Sequence, residues 1–461
     1  MVHLSKKFSV IILAAGKGTR MCSDLPKVLH PVAGKPMLAH VLETARQLSP
    51  EAIYTVISHG SEQVKQVLAD IHTEETEPPC HWVMQPEPLG TGHAVLQAIP
   101  LVHSEFVLVL YGDVPLLREE TLRELMQTTP PESLGLLYTQ IPDPTGLGRL
   151  LRNDSNQVIG IVEEKDATSA QRAIREIAVG TYWGPQKALA NWLSQILPHN
   201  AQQEYYLPDI VPFAAKISAV NAVRVPEPID TLGINDKQQL AMVERVYQQR
   251  QIERWMRAGV TVMDPARVDI RGEVTFGKNV TLDVNVILEG RVTIGDGCMI
   301  GPHTWIKDSN LHADVQVGSH CSIDGAILEA GAMVGPFARI RPGTMVGPHA
   351  KVGNFVELKK THLGAKSKVN HLSYVGDTTV GEDVNIGAGT ITCNYDGVHK
   401  HKTVIEDRAF IGSNTALVAP IVIGADALVG AGSVLTRDAP AGQLTLSRSP
   451  QKTVPRKKKV E

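Results

Sequence analysis

Residues 282–306 read LDVNVILEGRVTIGDGCMIGPHTWI, and an aliphatic side chain recurs at every sixth position of this stretch. A period of six fits neither the 3.6-residue turn of an α-helix nor an ordinary alternating strand. It is typical of a parallel β-helix, in which each hexad forms one short strand and a turn, with the aliphatic side chain in the core. The repeating positions are Leu282, Leu288, Ile294, Ile300 and Ile306.

The same period continues on both sides of this stretch. With three faces, one coil takes 18 residues, so residues 264–437 predict about ten coils and a prism about 48 Å tall. This range holds 23 of the 39 glycines, because tight corners favour Gly, Asn or Asp. The hexads pause at residues 391–404, which we expect to form a functional loop. The other hexad positions are Ile270, Phe276, Leu328, Val334, Ile340, Val346, Val352, Leu358, Ile405, Ile411, Leu417, Ile423, Val429 and Leu435.

Residues 8–225 have a different pattern, in which short apolar runs alternate with helical segments. Continuous apolar runs indicate strands buried on both faces, so we predict a Rossmann-like α/β domain with a mostly parallel sheet and ligands at the strands' carboxyl ends. The predicted strands are Phe8–Leu13, Ala52–Ile57, Phe106–Leu110, Leu134–Thr139 and Ile159–Val162, and the predicted helices include Met37–Leu48, Glu62–Ala69 and Arg118–Met126.

One long helix is predicted over residues 236–257, with Leu240, Val243, Val246 and Tyr247 on its apolar face. We therefore expect an α/β domain at residues 1–235 and a linker helix at 236–260, followed by the β-helix domain and a C-terminal tail at 261–461.

The composition excludes several classes of protein. The net charge of −3 gives no electrostatic reason to expect nucleic acid or a membrane surface as a partner. Five scattered cysteines without a CxxC motif argue against zinc and fit a reducing compartment. Lys6 and Lys7 before an apolar run imitate a signal peptide, but the run continues into the motif described next. We expect a cytoplasmic protein, with the basic run Arg456–Lys459 as a solvated end.

The string LAAGKGTR at residues 13–20 directly follows the first predicted strand. Small residues let the backbone approach a ligand, and successive amides in such a turn can cradle phosphate. Lys17, Arg20 and Lys27 add cations for a triphosphate. Neither GxxxxGK[ST] nor GxGxxG occurs here, which weakens a Walker or dinucleotide interpretation.

Asp113 ends an apolar strand in LYGDVPL, which places a carboxylate at the expected ligand edge. An oxygen ligand there suits Mg²⁺, which keeps most of its waters and bridges phosphates.

These motifs resemble those of the sugar nucleotidyltransferases, and closely those of bacterial bifunctional uridylyltransferase/acetyltransferases. The supporting strings, from about residue 8 to 448, are LAAGKGTRM, DLPKVLHP, PLGTGHA, LYGDVPL, DPTGLGR, GIVEEKDA, EYYLPDI and the hexads. The resemblance implies UTP as nucleotide, Arg20 and Lys27 as catalytic cations, Asp113 and Asn235 as Mg²⁺ ligands, and Gly148 and Glu163 at the sugar phosphate. The implied nucleotide-binding residues are Leu13, Ala14, Gly16, Lys27, Gln85, Gly90 and Thr91.

The chain departs from this family at one position. The family's sugar-binding EINxG string reads EIAVG here, so Ala178 replaces an Asn that hydrogen-bonds the sugar. Loss of that contact weakens binding by about 1–3 kcal/mol unless water or a neighbour substitutes.

The resemblance continues through GPFARIRPG, VGNFVELKK, NHLSYVGD and VNIGAGTITCNYDG. It implies a left-handed β-helix, a homotrimer with acetyl sites between subunits, and His371 as the general base that deprotonates an amine attacking acetyl-CoA. The implied sugar-phosphate residues of this second site are Arg341, Lys359, Tyr374 and Asn385. The implied acetyl-CoA residues are Ala388, Asn394, Tyr395, Ser413, Ala431 and Arg448.

We therefore interpret the chain as a bifunctional enzyme of UDP-N-acetylglucosamine synthesis, which acetylates glucosamine-1-phosphate and then transfers a uridylyl group to the product. One alternative is another sugar-1-phosphate nucleotidyltransferase with an accessory solenoid, which has no need of NHLSY or NIGAGTITCNYDG. The other is a non-catalytic regulatory subunit, against which the intact Gly-Thr-Arg loop, Asp113 and His371 argue.

Overall fold

The computed structural model describes residues 6–16, 18–58, 61–72 and 77–455. The chain divides into two compact units, Met1–Tyr247 and Gln248–Glu461. Two features of the sequence, the predicted phosphate-binding Lys17 and the basic run Arg456–Lys459, lie outside the described residues.

The first unit is built on a mixed sheet with the strand order β11-β7-β10-β6-β1-β4-β5, to which β8 and β9 attach beside β10. The pairs around β1 are parallel, whereas β10 runs antiparallel between β6 and β7. The strands are β1 Phe8–Leu13, β2 Pro31–Val32, β3 Lys35–Pro36, β4 Ile53–Ser58, β5 Cys80–Gln85, β6 Phe106–Tyr111, β7 Gly135–Gln140, β8 Arg149–Arg152, β9 Val158–Val162, β10 Glu176–Pro185 and β11 Asn221–Arg224.

Helices connect these strands and cover the sheet. All six residues of β1 are buried, as expected for a strand covered on both faces. In register, Leu13 at the end of β1 pairs with Tyr111 at the end of β6, so the loops that follow the two strands begin side by side. The helices of this unit are α1 Met37–Gln47, α2 Glu62–Val67, α3 Thr91–Ala98, α4 Glu119–Thr128, α5 Ser169–Arg172, α6 Gln186–Leu193 and α7 Ile210–Ala215.

The predicted strands and helices of this unit are present, with ends that differ by at most two residues. The antiparallel strand β10 is not among the predictions. Its sequence EIAVGTYWGP is interrupted by Gly180 and ends in Pro185, and its pairing with β7 shifts register between Ala178 and Tyr182. Such a bulge removes the regular pattern on which a sequence-based prediction depends.

The predicted long helix is α8, Lys237–Arg257. The boundary between the two compact units lies inside it, after Tyr247. Val243 is part of the core of the first unit, and the rest of the predicted apolar face packs against that core. In the second unit, Ile252 is a core residue. The helix therefore contributes side chains to both cores.

The second unit is a parallel β-helix whose short strands stack coil upon coil. One face consists of Thr261–Val262, Thr281–Leu282, Met299–Ile300, Gln316–Val317, Met333–Val334, Lys351–Asn354, Lys368–His371, Asn385–Ile386, Phe410–Ile411, Leu428–Val429 and Leu444–Thr445. The other two faces share the strands Val268–Phe276, Val286–Ile294, Trp305–Lys307, Asn310–Leu311, Ser322–Asp324, Ala326–Leu328, Arg339–Ile340, Thr344–Val346, Glu357–Lys359, His362–Leu363, Tyr374–Gly376, Thr378–Val380, Ile391–Cys393, Thr403–Ile405, Ala416–Val418, Ile421–Ile423 and Val434–Leu435.

The coils do not all have the predicted length. Val268 pairs with Val286, 18 positions on, but Ser322 pairs with Arg339, 17 positions on. A shorter coil arises where two core residues lie five positions apart, as Ile306 and Leu311 do. The core is unaffected, because one residue is removed at a corner while the aliphatic side chains stay inside.

The loop in the structure is shorter than the predicted range, residues 391–404. Ile391–Cys393 and Thr403–Ile405 remain strands, and only residues 394–402 leave the coil. The insertion lengthens one coil, so that Thr379 pairs with Val404.

Several corners of the β-helix carry bulky residues in the left-handed region, where we expect only Gly, Asn or Asp. Among them are His303, His320, Phe337 and Phe355, with φ between 55° and 59°. Their rings stack from coil to coil with centroids 4.7–5.2 Å apart. Stacking of this kind offsets the conformational cost of a positive φ.

No helix among the described residues is long and apolar enough to span a lipid bilayer.

Candidate active sites

The first cavity of the first unit has a volume of about 410 Å³ and lies at the carboxyl ends of three parallel strands. Leu13, Gln85 and Tyr111, the last residues of β1, β5 and β6, line it. Arg20 is not part of the described lining, and its side chain is exposed on the turn Thr19–Met21. The residues predicted to bind the nucleotide all line this cavity: Leu13, Ala14, Gly16, Lys27, Gln85, Gly90 and Thr91.

Gly90 in the wall of this cavity and Gly18 beside the lining residue Lys27 both allow close packing of the backbone. Gly18 has φ +61°, and a Cβ there would lie 2.5 Å from Lys27 Cβ. Gly90 has φ +107°, and a Cβ there would lie 2.6 Å from the carbonyl oxygen of Tyr205. Both positions require glycine for conformation and for space, and Gly18 lets the chain that carries Lys27 approach the loop after β1.

Gln85 is buried, with 4% of its surface exposed, rather than at a solvated strand end. Its amide nitrogen donates to the carbonyl oxygen of Gly90 at 3.1 Å and lies 3.1 Å from Nδ1 of His93. These contacts hold the amide group in one orientation. Its other polar atom, Oε1, is therefore available as a hydrogen-bond acceptor for a ligand.

Lys27 connects the two predicted magnesium ligands. Its ammonium group donates to Asp113 Oδ2 at 2.5 Å and to Asn235 Oδ1 at 2.7 Å. The Asn235 amide is held by a bond to the carbonyl oxygen of Gly233, and the Ile234 N–H donates to the carbonyl oxygen of Asp113. A carboxylate and an amide oxygen thus converge on one cation, and such oxygens are ligands of Mg²⁺. The donor set fits the implied ion.

A cluster of three or more His, Cys, Asp or Glu side chains able to hold a metal ion is absent from the described residues. Mg²⁺ does not require one, because it keeps several waters and takes one or two protein ligands beside substrate phosphates.

A second cavity of about 450 Å³ adjoins the first, and both are lined by Tyr111 and Asp113. Tyr111 is not among the residues predicted from the sequence to form the site. Its position at the end of a strand, two residues before Asp113, is the signal that could have identified it. The predicted sugar-phosphate residues Gly148 and Glu163 line the second cavity. Ala178, where the chain departs from the family, and Asn235, a predicted metal ligand, line it as well.

Two carboxyl groups near the second cavity, those of Glu163 and Asp209, have raised pKa values because their negative charge is poorly solvated and lies close to other carboxylates. Burial raises the pKa of Glu163, and Asp209 and Asp166 raise it further, while Arg149 opposes them. Burial and the charge of Asp166 raise the pKa of Asp209 to about 6. Hydrogen-bond donors without charge, such as sugar hydroxyl groups, suit carboxyl groups of this kind.

We expect Asp209→Asn to stabilise the first unit above pH 6. The pKa of Asp209 is about 6 in the folded chain, against about 3.9 in an unfolded one. The folded state binds the extra proton between these values, so the free energy of unfolding falls as the pH rises through this window. The group is partly solvated, so the gain at pH 7.5 is about 1 kcal/mol, or about 2–4 °C in the unfolding midpoint.

Thermal unfolding of both proteins at pH 5 and pH 7.5 measures this effect. The gain should be smaller at pH 5, and Asp154→Asn, at an exposed turn residue, should leave the midpoint unchanged at both values. An equal loss of stability at both pH values would contradict the prediction.

In the second unit, one edge of the β-helix brings together the predicted base and most predicted acetyl-CoA residues. Asn354 pairs with His371 in register. Hydrogen bonds join successive coils along this edge: Leu372 N to Asn354 O (3.1 Å), Gly389 N to His371 O (3.3 Å), Asn414 N to Ala388 O (2.7 Å), Gly432 N to Ser413 O (2.8 Å) and Arg448 Nη1 to Ala431 O (2.9 Å). We call the following set the edge column: Asn354, His371, Ala388, Ser413, Ala431 and Arg448.

The composition of the edge column suits an extended ligand. Ala388, Ser413 and Ala431 have small side chains, so a narrow chain can lie close to the backbone beside them. Arg448 supplies a cation at one end and His371 a proton acceptor nearer the other. The members of the column are unevenly spaced along the sequence, because the coils that carry them differ in length. The column is therefore recognised only when the coil lengths are known.

A second cluster of this unit surrounds Asp377. Lys359 donates to Asp377 Oδ2 at 3.1 Å, and the Asn394 amide donates to the same oxygen and contacts the Tyr374 hydroxyl at 3.4 Å. Burial acts to raise the pKa of Asp377, but the bonds from Lys359 and Asn394 outweigh it and lower the pKa. The Lys359 ammonium lowers the pKa of the neighbouring Lys400. Two ammonium groups beside one carboxylate leave an excess positive charge that suits a phosphate.

The other predicted residues of this unit are distributed around these two groups. Arg341 forms an ion pair with Glu357 at 2.9 Å. Asn385 pairs with Lys368 on a different face from Lys359 and Tyr374.

Tyr395 lies on the 394–402 insertion, mostly exposed, and pairs with Lys400. Asp377, Glu357 and Lys400 are not among the predictions. Asp377 and Glu357 each lie one coil beyond the cation that they contact, so nothing in the local sequence marks them as its partners.

Both units match families of transferases. Residues 10–156 match the MobA-like NTP transferase domain. Residues 273–308 match the bacterial transferase hexapeptide, and residues 402–437 match the hexapeptide repeat of succinyl-transferase. These matches are consistent with the left-handed β-helix that the resemblance implies.

Relatives match almost the whole chain. A protein from Alkalilimnicola ehrlichii named bifunctional protein GlmU is 51% identical over 453 residues, which are 98% of this chain and 96% of the relative. The chain belongs to the bifunctional GlmU family. The GlmU protein of Stenotrophomonas maltophilia is 50% identical over 98% of this chain and 98% of its own length. That of Pseudomonas entomophila is 50% identical over 96% of this chain and 96% of its own length.

Membership of the GlmU family confirms the interpretation as a bifunctional enzyme with an NTP transferase region and a hexapeptide transferase region. It favours this interpretation over an accessory solenoid and over a non-catalytic subunit.

Proposed function

We propose that the chain catalyses two consecutive reactions, as the sequence predicts for residues 1–235 and 261–461. The β-helix domain transfers acetyl from acetyl-CoA to glucosamine-1-phosphate, and the α/β domain transfers uridylyl from UTP to the resulting N-acetylglucosamine-1-phosphate. The observation that carries the proposal is the pair of adjoining cavities that share Tyr111 and Asp113. One cavity suits a nucleotide, the other a sugar phosphate, and their reacting ends meet at Asp113.

In the α/β domain, a phosphate oxygen of the sugar phosphate attacks the α-phosphorus of UTP. A phosphorus–oxygen bond forms, and the bond to the departing pyrophosphate breaks. Lys27 stabilises the negative charge of this transition state, with Arg20 as the second predicted cation. The free Oε1 of Gln85 accepts from the N3–H of uracil, because the amide nitrogen is already engaged.

Asp113 and Asn235 are the residues that would hold Mg²⁺. The linker at residues 236–260 begins directly after Asn235. A bound Mg²⁺ would supply positive charge that offsets the charge of the phosphates. Without the ion, Lys27 bridges the same two oxygens, so it keeps them close together and holds a positive charge between them.

In the β-helix domain, the amine of glucosamine-1-phosphate attacks the thioester carbon of acetyl-CoA. A carbon–nitrogen bond forms and the carbon–sulfur bond breaks, while His371 takes the amine proton and passes one to the departing thiolate. Lys359, Arg341 and Tyr374 bind the sugar phosphate of one site. Asn385, which lies on a different face, contributes to such a site from a neighbouring subunit of the proposed trimer. Ala388, Ser413, Ala431 and Arg448 contact acetyl-CoA together with Asn394 and Tyr395.

The assembly and the location are part of the same proposal. The hexapeptide repeats support a homotrimer, with a mass of about 150 kDa for three chains of 50.0 kDa. The five free cysteines support a cytoplasmic location, where thiols stay reduced.

A product assay tests the proposal. Full-length protein is incubated with glucosamine-1-phosphate, acetyl-CoA, UTP and Mg²⁺, each omitted in turn, and the products are identified by mass spectrometry. UDP-N-acetylglucosamine is expected only with all four present. Omission of UTP should leave N-acetylglucosamine-1-phosphate, and a uridylyl product formed equally well from another sugar phosphate would overturn the assignment.

We expect Ala178→Asn to strengthen binding of the sugar phosphate in the α/β domain. Ala178 lines the second cavity beside Gly148, to whose carbonyl oxygen its own N–H donates. An added amide provides one more hydrogen bond to a sugar hydroxyl, worth about 1 kcal/mol or roughly fivefold in KM. Steady-state kinetics should show a lower KM for N-acetylglucosamine-1-phosphate at unchanged kcat.

Ala178→Val is the control, because it adds volume without a hydrogen-bonding group. If both variants raise KM equally, Ala178 is needed for space, and the prediction is wrong.

A further inference from the structure

The side chain of Asn354 contacts the predicted base directly. Asn354 Oδ1 lies 2.6 Å from His371 Nδ1. The two residues pair in register on neighbouring coils, 17 positions apart. The Leu372 N–H donates to the carbonyl oxygen of Asn354 at 3.1 Å, so both the backbone and the side chain of Asn354 contact the coil that carries His371.

This contact determines which ring nitrogen carries the proton. An amide oxygen only accepts hydrogen bonds, so Nδ1 of the neutral His371 ring must be the donor. The proton is then absent from Nε2, whose lone pair is available. Within the described residues, no protein atom forms a hydrogen bond with Nε2. Side-chain partners of this kind set the tautomer of a functional histidine.

We propose that Asn354 is a positioning residue that holds His371 as the Nδ1–H tautomer with Nε2 as the base. The inference rests on the proposed acetyl transfer by His371 and names the atom that takes the amine proton. Without the Asn354 oxygen, the ring is free to rotate and to adopt the Nε2–H tautomer, which a free imidazole side chain favours in water. That form presents an N–H to the attacking amine in place of a lone pair.

The fold provides a matched pair for comparison. Asn285 Nδ2 lies 3.3 Å from His303 Nδ1, and the two residues are 18 positions apart in coils that carry none of the predicted site residues. Here the amide nitrogen faces the ring, whereas at Asn354 the oxygen does. Asn285→Gly removes this contact and keeps a residue that tolerates the left-handed backbone at that corner.

The test compares Asn354→Ala, Asn354→Asp and Asn285→Gly in the full-length protein, with both reactions measured. Asn354→Ala is expected to lower kcat for acetyl transfer about 10–100-fold, the range found when a partner that orients a metal-binding histidine is removed. The KM values for acetyl-CoA and glucosamine-1-phosphate should stay within about twofold, and uridylyl transfer should be unchanged. Asn354→Asp should restore kcat, because a carboxylate oxygen also accepts from Nδ1–H. Asn285→Gly should leave both reactions unchanged.

Nitrogen NMR of histidine-labelled protein provides a second measurement that a purely structural role would not change. The His371 signals, identified by their loss in His371→Gln, should show a protonated Nδ1 in the wild type and a shift toward protonated Nε2 in Asn354→Ala. An unchanged kcat or an unchanged tautomer in Asn354→Ala, with folding intact by circular dichroism, overturns the role of Asn354. If His371→Ala itself retains acetyl transfer, the proposed function of this site fails instead.

Discussion

Asp113→Ala is expected to lower uridylyl transfer about 10³-fold and to leave acetyl transfer at the wild-type rate. Asp113 lines both cavities of the α/β domain and accepts a hydrogen bond from Lys27. Its loss removes a proposed magnesium ligand and frees the Lys27 ammonium from its position. Metal stabilisation of phosphoryl charge is worth several kcal/mol, and each 1.36 kcal/mol corresponds to about tenfold in rate.

The two reactions are measured separately with N-acetylglucosamine-1-phosphate plus UTP and with glucosamine-1-phosphate plus acetyl-CoA. Asp113→Asn separates charge from shape, and we expect it to retain more activity than alanine at high Mg²⁺. Asp154→Ala, at an exposed turn, is the control for loss of a carboxylate. Uridylyl transfer within tenfold of the wild type in Asp113→Ala would refute the assigned role.

His371→Ala is expected to produce the converse result, with acetyl transfer lowered about 10²–10⁴-fold and uridylyl transfer unchanged. A thioester is already a reactive acyl donor and does not need the histidine. The attacking amine, however, must lose a proton to form the amide. Alanine offers no group to accept it. The side chain of His371 is exposed and its core neighbours are unaffected, so the β-helix should remain folded.

His362→Ala is the matched control, since His362 is an exposed histidine in a strand of the same β-helix. Thermal unfolding of both variants should match the wild type. If uridylyl transfer falls together with acetyl transfer in His371→Ala while the protein stays folded, the two reactions do not take place at independent active sites.

Much of the fold is predictable because its periodicity is local. The hexads of the second unit and the buried runs Phe8–Leu13 and Phe106–Leu110 each indicate their structure within a few residues. Prediction fails where spacing or pairing departs from regularity. The shortened coils and the bulged antiparallel strand β10 depend on how neighbouring chains meet, which no single segment specifies.

The candidate sites are predictable to a different extent in each unit. The predicted nucleotide-binding residues are identified from motifs near strand ends, where a parallel sheet gathers ligands, and the set lines one cavity. Arg20 lies outside that lining, and its catalytic role remains a prediction. In the β-helix, partners such as Asp377 and Asn354 belong to a different coil from the residue that they contact.

Local sequence patterns are enough to specify the two kinds of unit, the long helix between them and most of the residue types needed for two transfer reactions. Which of these residues meet depends on the folded chain. Lys27, Asp113 and Asn235 are far apart in sequence and converge because β1, β6 and the segment after β11 end at one edge. Asn354 reaches His371 because the two residues pair in register on neighbouring coils. Secondary structure follows from short-range periodicity, whereas hydrogen bonds between distant side chains depend on register, which is set by packing of the whole unit.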